Sequence, residues 1–161
     1  MTTALTTAYD PDDRVDLTGF SGSLATYAVA LTALAGAARA RGGGPERYSA
    51  TDLLIGGLAT HKFARLVSRS SVASPVRAPF TEFTEPAGSG EHVEAARGEH
   101  GVRHTVGELI TCPFCLGVWV STAYVAGLAL APRPTRAWAA VFAVTGVSDF
   151  LQHAYARLRG D

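Results

Sequence analysis

Charges in this chain crowd into residues 1–19, 39–52, 61–108, 133–136 and 149–161, and the windows between them are uncharged. Phe20 to Ala38 runs nineteen residues without a charge, close to the ~20 predominantly apolar residues a spanning helix needs. Its Ala and Gly content makes it only weakly hydrophobic, so a buried helix in a soluble bundle is the competing reading. Arg39, Arg41 and Arg47 follow, with Gly42-Gly43-Gly44-Pro45 as a helix stop. A second helix is predicted over Ser49 to Arg69, with Ser49, Thr51 or Asp52 as its N-cap. Leu53, Leu54, Ile55 and Leu58 give it an apolar start, while His61, Lys62, Arg65 and Arg69 load its last turns, where cations complement the helix C-terminus. Its uncharged part is short for a crossing, so it reads as interfacial, re-entrant or packed against other helices.

Residues 70–104 form a long polar connection. Ser74-Pro75-Val76-Arg77-Ala78-Pro79-Phe80 carries two prolines that forbid a helix interior, and Phe80 is an apolar anchor for an ordered first part. Glu82, Glu85, Glu91, Glu94 and Glu99, interleaved with glycines, predict a mobile stretch from Glu85 to His100. Thr105 and Glu108 have the spacing of a capping box, which predicts a helix start at Thr105. Pro113 then either kinks that helix or opens a new one after a lead-in ending near Thr111. From Cys112 to Ala131 the chain is an uncharged run of about 20 residues. The Pro132-Arg133-Pro134-Thr135-Arg136 turn predicts an antiparallel return. The returning segment, 137–156, carries Asp149 inside a would-be span, where an acid is costly and faces a partner.

Composition sharpens the pattern only in places. The formal net charge is zero, so no long-range field favours nucleic acid. Residues 1–19 hold Asp10, Asp12, Asp13 and Asp16 against Arg14 and are expected to be an exposed acidic tail. No basic stretch precedes the first apolar window, so that window is not read as a signal peptide. The fourteen basic residues weigh the topologies. With 20–38, 112–131 and 137–156 spanning and the N-terminus outside, eleven lie inside. With 49–69 also crossing and the N-terminus inside, nine do.

Chemistry concentrates at Cys112 and Cys115, the two cysteines of the chain. Three residues apart, they suit a thiol pair at a helix entrance, where backbone amides favour thiolate. They also supply half of a tetrahedral zinc site, to which His104, His100 or His61 would add a ligand. The plain alternative is packing, because Cys behaves as a small hydrophobe and small residues form helix interfaces in lipid. Asp149 is read as an ion-pair partner of Lys62 or Arg65. No glycine-rich phosphate loop and no Ser-His-acid set can be chosen, and no catalytic residue is assigned.

Leu58-Ala59-Thr60-His61-Lys62-Phe63-Ala64-Arg65-Leu66-Val67, the Ser74–Phe80 segment with Pro75, Arg77 and Pro79, the Gly107–Val120 stretch with its Cys-Pro-Phe-Cys-Leu-Gly-Val-Trp core, and Ser148-Asp149-Phe150-Leu151 together resemble domain of unknown function 1360. The resemblance covers roughly Asp52 to Leu158 and implies a helical membrane protein; some such bacterial proteins are linked to sporulation. Where the family usually reads Ala-Thr-Tyr-Arg, this chain has Ala59-Thr60-His61-Lys62, which keeps the cation but not an arginine fork. The expectation is therefore an all-α integral membrane protein of three spans, or four if 49–69 crosses. Its parts are an acidic tail 1–19, an extra N-terminal helix 20–40 and a family domain 49–158. That domain is divided into an amphipathic helix 49–69, a polar loop 70–104 and a helical hairpin 105–156. A structural or assembly role in the bacterial cell envelope leads, ahead of a membrane thiol or zinc protein and a soluble helical bundle. The expected partners are the lipid bilayer and a second copy or other membrane protein, not nucleic acid. The thiols are expected at the cytoplasmic face, without a cofactor unless zinc binds.

Overall fold

A computed structural model of the chain describes residues 8–12, 14–43 and 48–160. Residues 1–7 and Asp13 of the acidic tail, Gly44-Pro45 of the expected helix stop, and Arg47 lie outside the described residues. Helices dominate: α1 (Leu17–Ala40), α2 (Ala50–Arg69), the single turn α3 (Ser74–Arg77), α4 (Val102–Thr111), α5 (Pro113–Leu130) and α6 (Pro132–Arg159). The chain divides into two compact units. One is Met1–Ala30 with Val67–Cys112, and the other is Leu31–Leu66 with Pro113–Asp161.

The first unit departs from the all-α expectation by one small two-stranded sheet. In place of a mobile stretch after Glu85, strands β1 (Thr81–Gly88) and β2 (Glu91–Ala96) pair antiparallel, with Thr81 opposite Ala96 and Phe83 opposite Glu94. The reversal is carried by Ser89 at φ 49 and Gly90 at φ 72, the doubly left-handed pair that suits the twist of a two-residue hairpin. α4 packs on β2. Gly107 admits the close approach, since a Cβ there would lie 2.6 Å from the Phe80 carbonyl oxygen and 2.8 Å from Ala96 Cβ. α4 also begins three residues before the expected start. Thr105 is not its cap, because Thr105 N–H already donates to the Gly101 carbonyl at 2.9 Å.

The second unit is a helical packing built on small residues. Ala59, Tyr124, Leu128 and Ala139 form its core, with Ile55, Trp138 and Phe142 against them. Gly56 leaves room for the Tyr124 ring, and a Cβ there would sit 2.1 Å from Tyr124 Cε1. α5 and α6 are antiparallel across Ala131, with Gly127 against Thr135. The prolines do not make that turn: Pro132 and Pro134 sit in the first turn of α6, where a missing N–H has no intrahelical acceptor to lose. α2 and α6 run in the same direction. Asp52 meets Arg136 near their starts, and Lys62 meets Asp149 ten and thirteen residues further on.

Large apolar side chains point outward in both units. Leu24, Val29, Leu54 and Val144 are each 70 % exposed. Among the described residues two helices, Leu17–Ala40 and Pro113–Leu130, are long and apolar enough to cross a membrane. The expected third span, 137–156, falls within α6, whose Asp149, Gln152 and His153 dilute its apolar character.

Candidate functional site

At the thiols, Pro113 decides the local structure. It has no N–H for the Leu109 carbonyl, so α4 stops at Thr111 and Cys112 takes extended backbone (φ −99, ψ 103) before Pro113 opens α5. The Thr111 hydroxyl donates to the Gly107 carbonyl at 2.8 Å, covering part of the interrupted ladder. Cys112 is half-buried and Cys115, in the first turn of α5, is exposed; both are thiols. His104 lies on α4 with Nδ1 buried and without a hydrogen-bond partner. His61 stacks on Phe150 with ring centroids 6.1 Å apart. Among the described residues no three His, Cys, Asp or Glu side chains gather into a metal-holding group. Cys112, Cys115 and His104 thus form no such set.

A more elaborate polar arrangement surrounds Arg77. Pro75 lies in the first turn of α3, where its missing N–H is harmless, and the turn delivers Arg77 into the interior with no exposed surface. Arg77 Nε donates to Glu94 Oε2 at 2.9 Å and Nη2 to Glu94 Oε1 at 2.6 Å and to Ser74 Oγ at 3.1 Å. Nη1 donates to the Val67 and Ser70 carbonyls at 2.7 and 3.0 Å. All five guanidinium N–H groups thereby have an acceptor, and the terminal carbonyls of α2 acquire a donor. Ser74 Oγ and Thr81 Oγ1 donate to the same carboxylate at 3.0 and 2.6 Å. The Arg77 hydrogen bonds hold the Glu94 carboxyl at about 2, against the burial that opposes ionisation. Pro79 contributes its carbonyl, which accepts from Arg103 Nε at 2.6 Å. This node joins the end of α2, α3 and both strands; it fixes backbone and is not open to a ligand.

Asp16, expected in an exposed tail, is instead 4 % exposed. Its Oδ1 accepts from Gly19 N–H at 2.8 Å, capping α1, while Oδ2 accepts from Gly101 N–H at 2.7 Å and Thr105 Oγ1 at 3.2 Å. The Gly19 hydrogen bond leads in lowering its pKa, with burial opposing and Gly101 and Thr105 assisting. A Cβ at Gly19 would fall 2.0 Å from Thr105 Oγ1. The Asp-x-x-Gly spacing before an apolar run was the available signal, and the count of neighbouring acids obscured it.

In the second unit Lys62 Nζ donates to Asp149 Oδ2 at 2.5 Å, while Arg65 is exposed on α2. Asp52 takes a two-pronged bond from Arg136, at 2.8 and 2.9 Å, and its carbonyl accepts from Tyr124 Oη at 2.8 Å. Ser49 caps α2 through Asp52 N–H at 3.0 Å. Asp52 was therefore a cap candidate whose side chain has other work. An apolar cleft of about 390 Å³ lies between the second half of α1 and α5, lined by Leu31, Leu34, Ala35, Val125 and Ala129 among others.

Fold and sites together define a small, mainly helical protein with two membrane-length apolar helices and a β-hairpin pinned by a buried arginine–glutamate pair. The chain belongs to the family of proteins of unknown function DUF1360, whose profile matches residues 54–155. It is similar to the sporulation protein YjcA of Bacillus subtilis (strain 168), with 28 % identity over 98 residues, 59 % of this chain and 82 % of that protein. No solved structure matches the chain.

Proposed function

We propose that this is an integral protein of the bacterial cytoplasmic membrane with a structural or assembly role in the cell envelope. Its thiol pair would lie at the cytoplasmic face, and a second copy or another membrane protein would be its partner. One observation carries the reading: alanines make up most of the buried apolar set, with Tyr124 and Leu128, while many bulky aliphatic side chains face outward. Ala59, Ala64, Ala139 and Ala143 are buried, whereas Leu24, Val29, Leu54, Val144 and Leu151 face outward. Water disfavours that arrangement, but lipid tolerates it, because helices in lipid associate through small residues and leave bulky aliphatic ones to the acyl chains. The polar nodes support a scaffold, since their donors and acceptors are spent on one another. The name of the Bacillus relative extends the proposal to an envelope remodelled during sporulation.

The test is fractionation of the full-length protein after expression in a bacterial host. Retention in membranes through a carbonate wash, with release by detergent, is the expected result. A monodisperse monomer in the surfactant-free supernatant refutes the reading.

A further inference from the structure

The Asp16 contacts constrain how the chain threads a bilayer. The inference rests on the membrane reading above. Asp16 bonds to Gly101 and Thr105, so the start of α1 and the start of α4 lie on one side of any membrane. α1 crosses once between them, so the chain must cross back between Ala40 and Gly101. Among the described elements of that interval α2 alone has the length, 20 residues, or about 30 Å at 1.5 Å per residue. α2 is less apolar than α1 and α5.

We infer that α2 is nonetheless a transmembrane crossing, made tolerable in lipid by α6, whose Arg136 and Asp149 pair with its Asp52 and Lys62. Two of its charges have partners on α6: Asp52 with Arg136, and Lys62 with Asp149. Arg65 and Arg69 occupy its last turns, from which long side chains reach the headgroups. The outward face of its first half is Leu54 and Leu58. A second observation, independent of Asp16, agrees. α2 and α6 run in the same direction, as the order of the two ion pairs along both helices requires. If α6 returns the chain across the membrane after α5, α2 makes the same passage. The result is four crossings, with the N-terminus, the β-hairpin and the C-terminus on one side.

Single cysteines introduced into the full-length Cys112→Ser/Cys115→Ser protein test this, at Tyr9→Cys, Thr51→Cys, Glu85→Cys, Ala131→Cys and Leu158→Cys. A membrane-impermeant maleimide is applied to intact cells and then to lysed ones. The expected pattern is two groups of opposite accessibility, Thr51 with Ala131 and Tyr9 with Glu85 and Leu158. Thr51 and Glu85 labelling from the same side, in protein that stays in carbonate-washed membranes, overturns the α2 crossing while leaving the membrane reading intact. Recovery of the protein in the carbonate supernatant removes the membrane reading itself, and the crossing with it. A Lys62→Asp/Asp149→Lys exchange supplies a further readout. Membrane yield falls at least several-fold in each single variant and recovers in the exchange; no recovery counts against neutralisation by α6.

Discussion

Replacing Glu94 by glutamine keeps the side-chain shape and removes one charge from the interior of the first unit. The wild-type carboxylate accepts from Arg77 Nε and Nη2, Ser74 Oγ and Thr81 Oγ1. An amide must turn an NH₂ towards at least one of those donors, and the guanidinium loses its counter-charge. Leaving a buried ion unpaired costs about 3–5 kcal/mol. Linkage gives a second route to the magnitude. The folded carboxyl is lowered from 4.5 to about 2, and at 1.36 kcal/mol per unit that is about 3 kcal/mol at neutral pH. Because the folded value is depressed, this contribution is complete above pH 4.5 and drains away as the pH falls towards 2. For a unit of fewer than 100 residues, about 3 kcal/mol corresponds to a fall in Tm of roughly 12–24 °C. The assay is thermal unfolding in detergent with hydrogen exchange of the hairpin, where Arg97 N–H donates to the Phe80 carbonyl at 2.9 Å. Glu94→Gln should lose protection there and lose the extra acid sensitivity between pH 4.5 and 2. Wild-type Tm and protection at pH 7 in Glu94→Gln would refute the reasoning.

Gly19→Ala should uncap α1, because its Cβ would collide with Thr105 Oγ1 and Asp16 Oδ2. Faster proteolysis at the N-terminal end of α1 and near Gly101, relative to Gly22→Ala, is the check. Gly56→Ala forces the Tyr124 ring out of its seat and should cost about 1–3 kcal/mol by overpacking, read as lower thermal stability, whereas Gly57→Ala, in open space, should not. Lys62→Ala and Asp149→Ala should each reduce the yield of folded protein, and the double variant should lose less than the two losses combined, as a double-mutant cycle on a coupled pair requires. If the cysteines serve packing, Cys112→Ser/Cys115→Ser purified under reducing conditions should keep wild-type yield and zinc content; stoichiometric zinc lost in the variant would establish the metal alternative.

Periodic apolar windows made α1, α2 and the α5–α6 pair legible, because lipid-length runs and proline boundaries are local properties of a sequence. The hairpin was not legible for the opposite reason. Its strands carry Glu82, Glu85, Glu91 and Glu94 with Gly88 and Pro86, residues that disfavour strands by intrinsic preference. What holds them is tertiary, the Arg77–Glu94 pairing and the seat of Ala96 on Gly107. Arg77 stood out between its two prolines, but Glu94 looked like one acid among many. Thr105 misled by spacing: its single hydroxyl hydrogen is shared between the Gly101 carbonyl at 3.1 Å and Asp16 at 3.2 Å, so the residue is a contact within α4 and not its beginning. The partners Asp52 and Arg136 are 84 positions apart, a separation that no local pattern encodes.

Asp16 and Gly19 precede the matched region 54–155, while Gly101 and Thr105 fall within it. The edge of shared ancestry is therefore not a mechanical edge. A chain trimmed to the shared region would leave the amide of Gly101 without its carboxylate acceptor, and the hydroxyl of Thr105 with the Gly101 carbonyl alone. Its hairpin unit should consequently be looser than the same residues within the whole protein.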